Sequence, residues 1–166
     1  MLSNLSPLQT SLIEKVKAFY AAIDKDDFAA LEGMMAVDIV HRSGNGDVSR
    51  TSKVVIENRK KLADSRNRVK HDVTRCWFPA GADGVMVSGD ITFDILSAKG
   101  DFRNIIIPFA ASFNFNGVGD ISEHLVFMDP SPILVARGIN IVGDEDLRPT
   151  LENVASTMEA YESTYF

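Results

Sequence analysis

The stretch Val85-Met86-Val87-Ser88-Gly89-Asp90-Ile91-Thr92-Phe93-Asp94-Ile95-Leu96 decides the fold, because its residues alternate in character. Val85, Val87, Gly89, Ile91 and Phe93 make one side, and Ser88, Asp90, Thr92 and Asp94 make the other. That period of two belongs to a strand with one buried face. Residues 69–79, 101–116 and 121–129 alternate in the same way, and short glycine-containing breaks separate the segments (80–84, 98–100, 116–119). Four long strands with three short connections predict an antiparallel meander of hairpins. Pro130 and Pro132 end the last strand.

Upstream of residue 69 the period is that of a helix. Ser6-Pro7 is a helix start, with a capping hydroxyl before a proline whose missing N–H costs nothing there. Leu8, Leu12, Val16, Phe19, Tyr20 and Ile23 then place one apolar face on a helix over 7–23. Asp24-Lys25-Asp26-Asp27 breaks that helix and caps a second over 28–35. A short strand over 39–43 ends at the turn Gly44-Asn45-Gly46. Ser52 caps a third helix to about residue 65, with Val55, Ile56, Leu62 and Ala63 on its apolar side. The order helix, helix, strand, helix and four strands predicts an α+β fold, a curved antiparallel sheet wrapped around helices. Thr150-Leu151 opens a last amphipathic helix. The chain therefore divides into a domain over 1–132 and a C-terminal extension over 133–166.

A length of 166 residues, 45% hydrophobic and 24% charged, suits one domain with a sizeable core. No apolar run is long enough to span a membrane, and the first residues lack the basic start and apolar stretch of a signal peptide, so a cytoplasmic protein is expected. Cys76 is the single cysteine, which excludes an internal disulfide and a thiolate metal cluster. The net charge of −6 is uneven, because six acids against Arg148 fall between Asp144 and the end. Residues 50–70 carry eight Lys and Arg against Glu57 and Asp64, but without interleaved aromatics. That pattern reads as a solvated helix face rather than a nucleic-acid surface.

Four segments taken in order, Phe19-Tyr20-Ala21-Ala22-Ile23-Asp24-Lys25-Asp26-Asp27-Phe28, Val37-Asp38-Ile39-Val40-His41-Arg42-Ser43-Gly44-Asn45-Gly46, His71-Asp72-Val73-Thr74-Arg75 and Glu123-His124-Leu125-Val126-Phe127-Met128-Asp129-Pro130, resemble the SnoaL-like branch of the nuclear transport factor superfamily. The resemblance covers residues 8–132. It implies a cone-shaped curved sheet closed by three helices around an apolar pocket, commonly dimerised through the outer face of the sheet. Members include ketosteroid isomerases, limonene epoxide hydrolases, scytalone dehydratases, polyketide cyclases and modules without catalysis, so the fold does not fix the reaction.

Alternation then assigns faces, unless a bulge intervenes. Pairing Val87 with about Trp77 turns Val69, His71, Val73, Arg75 and Trp77 inward and Cys76 outward. On the next strand Ile107, Phe109, Ala111, Phe113 and Phe115 go inward, while Ala110, Ser112 and Asn114 form an outer face suited to a homodimer. Matched to the family's last and first strands, His124, Val126 and Met128 point in, as do Ile39, His41 and Ser43. All three histidines, His41, His71 and His124, thus fall on the inner face, where imidazole can move protons near neutral pH. Hydrogen-bonded core histidines are the alternative for each. A three-histidine metal site would use the same side chains, but no HxH or HExxH spacing supports it, and neither metal nor cofactor is expected.

Position by position, the family's chemistries fit unequally. The ketosteroid isomerase set falls on Ser43, Ala111 and Phe19, and the epoxide hydrolase set on Val87, Gly89 and Val126, so both sets are absent. Scytalone dehydratase is matched in part by Asp24, by His41 before Arg42-Ser43, and by His71, whereas its remaining His and Tyr fall on Gly89 or Ile91 and on Ile23. The resulting expectation is a cofactor-independent enzyme that isomerises, cyclises or dehydrates a small hydrophobic oxygenated metabolite of polyketide or terpenoid type. His71 would accept the proton, His124 or His41 would donate one or polarise a carbonyl, and Asp24 or Ser43 would orient them. Phe19, Tyr20, Ser43, Arg75, Trp77, Val87, Ile91, Phe109, Phe113, Val126 and Met128 are the expected substrate contacts. The alternative is a non-catalytic ligand-binding or dimeric assembly module of the same fold.

Overall fold

The computed structural model describes residues 5–64, 68–79, 84–97 and 99–137. Its elements are α1 (Pro7–Asp24), α2 (Phe28–Met34), β1 (Met35–Ser43), α3 (Ser52–Asp64), β2 (Arg68–Trp77), β3 (Gly84–Leu96), β4 (Phe102–Phe115), β5 (Ile121–Met128) and α4 (Ser131–Ala136). The expected C-terminal helix and the acidic run from Asp144 lie outside the described residues. Among the described residues no helix is long and apolar enough to cross a membrane.

Local chemistry sets the helix boundaries. The Ser6 side chain accepts the Gln9 N–H, and the Gln9 side chain accepts the Ser6 N–H, which satisfies two donors that the first turn leaves open. The chain leaves α1 through Asp26 at φ 53°, a left-handed conformation that aspartate tolerates better than most residues. Asp27 then caps α2 by accepting the Ala30 N–H.

The sheet has the order β1-β5-β4-β3-β2 and is curved and unclosed. Strands β2 to β5 form the expected antiparallel meander. Strand β1 adds a parallel edge to β5, pairing His41 with His124 and Ser43 with Val126, so the sheet is antiparallel except at this edge. Parallel neighbours need a long crossover, and here the crossover holds α3 and the rest of the meander. Val16, Phe19 and Ile23 of α1, Leu31 of α2 and Val55 of α3 pack on the inner face of the sheet. Phe19 meets Phe113 edge-on, with ring centres 5.6 Å apart.

Strand β2 departs from regular alternation. Val73 pairs with Gly89 but Arg75 pairs with Ser88, so Thr74 is an extra residue in a bulge. Beyond it the faces swap: Cys76 pairs with the fully buried Val87 and packs against the core, and Trp77 pairs with Met86 on the outside. The expected inward Arg75 and Trp77, and the outward Cys76, are therefore reversed. On the outer face Trp77, Met86, Ser112 and Leu125 form one cross-strand row, and Arg75, Ser88, Ala110 and Phe127 form the next. Trp77 is 41% exposed there and Phe127 is 58% exposed.

Candidate functional site

Asp24 is the last residue of α1, and the helix aims its carboxylate at β2. The His71 backbone N–H donates to both carboxylate oxygens, at 3.2 and 3.0 Å, and His71 Nδ1 lies 2.6 Å from Asp24 Oδ1. A carboxylate accepts only, so it selects the tautomer with the proton on Nδ1 and leaves Nε2 as the basic nitrogen. The Tyr20 ring stacks on the imidazole, with centres 4.6 Å apart, and Phe109 meets it edge-on. Backbone, carboxylate and two aromatic rings together hold His71 in one orientation.

His71 lines a cavity of about 150 Å³ between α3, the sheet and α4. That volume is on the scale of a cavity that accepts a single aromatic ring. Of the expected contacts, Tyr20, Ser43, Ile91, Val126 and Met128 line it with His71. Phe19, Val87, Phe109 and Phe113 are buried core residues. Arg75 and Trp77 stand on the outer face, because the bulge turns them there.

The other two histidines are placed differently. His124 is fully buried, stacked on Phe113 at 4.3 Å and tilted against His41 at 5.1 Å. Its Nε2 lies 3.4 Å from the Tyr20 hydroxyl, and its Nδ1 has no hydrogen-bond partner among the described residues. His41 Nδ1 lies 3.1 Å from the His124 carbonyl oxygen, so the carbonyl accepts the Nδ1 proton. Neither ring is among those lining the cavity. Burial, reinforced by the Arg59 charge, pushes His41 down to about 4. Burial, with the charges of His41, Arg59 and His71, holds His124 well below the ordinary histidine value. Burial also raises the Tyr20 phenol far above its usual range, so it stays protonated. His41 and His124 are thus neutral at pH 7, and His124 meets the Tyr20 ring edge-on.

Sequence reasoning missed two arginines. Arg59 and Leu62 of α3, Ile133 of α4 and Arg137, which follows α4, line the cavity opposite the sheet. Arg59 stands four residues after the buried Val55, hence on the same helix face, and that spacing was the available signal. Helix α4 starts after Pro130 without a side-chain cap and has Pro132 in its first turn, where proline is tolerated, a cue that the strand-ending role of the prolines concealed. Among the described residues no three His, Cys, Asp or Glu side chains are grouped so as to hold a metal ion.

No family model matches the chain. No curated protein matches its sequence. Solved structures do match in shape. A candidate SnoaL-like polyketide cyclase from Jannaschia sp. CCS1 superposes with a TM-score of 0.70 at 15% identity, over 82% of this chain and 98% of that one. A protein with a ketosteroid isomerase-like fold from Catenulispora acidiphila DSM 44928, solved with trimethylamine, gives 0.65 at 19% identity over 76% and 94%. An LEH-like epoxide hydrolase of M. tuberculosis gives 0.62 at 15% identity over 80% and 93%. With the sheet order and the covering helices, these likenesses show that the chain has the cone fold of the SnoaL-like and ketosteroid isomerase-like proteins.

Proposed function

We propose that the protein is a cofactor-independent enzyme that removes a proton from a small, largely apolar oxygenated molecule, with His71 as general base and Asp24 as the group that orients it. The observation that carries this reading is the 2.6 Å contact between Asp24 and an imidazole lining the cavity. A positioned base of this kind contributes about 10²- to 10⁴-fold to proton abstraction. Loss of the proton next to a carbonyl leads to isomerisation, to cyclisation or to dehydration if a hydroxyl lies β to it, and the Ser43 hydroxyl on the cavity wall suits an oxygen of the substrate. Catalysed deuterium uptake tests the reading with simple surrogate ketones in place of the natural substrate. Small cyclic ketones and β-hydroxy ketones in D₂O, followed by NMR, are expected to exchange α-protons with the wild-type chain and not with His71→Ala. Absence of catalysed exchange or dehydration across the panel, or undiminished exchange in the variant, overturns it.

A non-catalytic ligand-binding module is the second reading, supported by the placement of His41 and His124 outside the cavity wall. It expects ligands to bind with no exchange. In either case we propose a homodimer formed through the outer face of the sheet, which no described helix covers.

A further inference from the structure

We infer that the molecule bound beside His71 is an anion, a small carboxylic acid whose carboxylate is held by Arg59 and Arg137. This rests on the reading of the cavity as the substrate site and adds the charge of the substrate. Two cationic side chains from separate segments, Arg59 of α3 and Arg137 just after α4, line one small cavity. Among the described residues that line it there is no aspartate or glutamate. Asp24 stands behind His71, and both of its oxygens accept from that residue.

The rest of the lining is chiefly apolar, including Val69, Ile91, Ile95 and Ile133. In such surroundings a guanidinium charge is poorly screened. Its reach is visible in the interior, where Arg59 disfavours protonation of both His41 and His124 and favours ionisation of Tyr20. A guanidinium has five N–H donors in a planar fork, enough to hold a partner within the protein and still bind a carboxylate edge. Carboxylate fits better than phosphate. The cavity-lining residues of α3, Arg59 and Leu62, lie in its later turns, and α4, at six residues, is too short to offer the helix N-terminus that phosphate sites favour.

The anion also suits the proposed chemistry. Paired with the arginines, the carboxylate would fix one end of the molecule while its apolar body contacts the sheet, and the carbon to be deprotonated would lie toward His71. The cationic field would then stabilise the negative charge that develops as the proton leaves.

Titration calorimetry on the full chain with matched pairs tests the inference: benzoate and benzamide, cinnamate and cinnamamide, hexanoate and hexanamide. At least one acid is expected to bind about tenfold or more tighter than its amide, as charge-assisted hydrogen bonds allow, with affinity falling as NaCl rises. Arg137→Gln and Arg59→Gln should each erode that preference. Arg137 caps the short helix α4, so its variant keeps the test open if Arg59→Gln does not fold. Absence of acid preference in every pair, or preference retained in a folded Arg137→Gln or Arg59→Gln chain, overturns the inference. Amides bound as tightly as acids, with deuterium exchange still lost in His71→Ala, would leave the general-base reading standing and remove only the anion.

Discussion

Asp24 serves His71 twice, through its backbone and through its ring, and the two roles separate by substitution. Asp24→Asn retains an oxygen to accept the His71 N–H, but its amide group can present N–H to Nδ1 and drive the proton to Nε2, where the base is needed. The expected result is a 10²- to 10³-fold loss of catalysed exchange with only a small change in the melting temperature, compared by NMR and calorimetry on the same samples. A second residue-scale prediction concerns the buried imidazoles. An unfolded histidine takes up its proton near pH 6.5, whereas native His41 does so only near 4, and burial holds native His124 well below the ordinary value. Between those values the unfolded chain binds more protons, so stability falls as the pH drops through that window. Each histidine contributes a slope of up to about 1.4 kcal/mol per pH unit. Urea denaturation from pH 7 to 4 should show this slope, and His124→Phe, which keeps the stack on Phe113, should reduce it. Flat stability across the window would contradict the assignment of both rings as buried and neutral.

At the scale of the element, β2 shows what alternation in one strand can and cannot convey. Periods of two and 3.6 are local, and they suffice to place α1 to α3, the meander and the inward faces of β3 and β4, whereas α4 escapes them and the inward His124, Val126 and Met128 of β5 are assigned from the family resemblance. A bulge depends on the partner strand. The signal for it lies not in β2 but in Gly89, where an added Cβ would sit 1.9 Å from the Asp72 carbonyl oxygen. Because β2 and β3 approach so closely at that point, strict alternation assigns Arg75 and Trp77 to the wrong face, while His71, before the bulge, falls on the correct one. Arg59 escapes the sequence for another reason: a long cation on an apolar helix face can line a cavity while its stem packs like a hydrophobe. Gly89→Ala is expected to destabilise the fold by about 1–3 kcal/mol, the usual range for overpacking, since backbone rather than a flexible side chain must give way. Equilibrium denaturation measures this, and an unchanged midpoint would show that β2 can slide back to a regular register.

For the whole molecule, the two faces of the sheet have different requirements. The inner face is filled by α1, α2 and α3, while no described helix covers the outer rows that contain Trp77, Met86, Leu125 and Phe127. In the proposed homodimer a second copy of the same sheet would cover this surface. Ala110 and Ser112 are small and lie in the middle strand of these rows, which lets two sheets approach to about 10 Å, with the aromatic groups of each flanking the small centre of the other. Association through the same patch on both chains is self-limiting and stops at the dimer. Sedimentation of the full 18.2 kDa chain at micromolar concentration should therefore report twice that mass. Ser112→Arg places a charge and a long side chain at the centre of the face without touching the cavity, so it should yield a folded monomer that binds the cavity ligand with unchanged affinity. A wild-type monomer would refute the face as an interface, and a Ser112→Arg dimer would move the interface elsewhere. A monomeric Ser112→Arg chain that lost the ligand would show instead that the partner subunit helps to hold the cavity in shape.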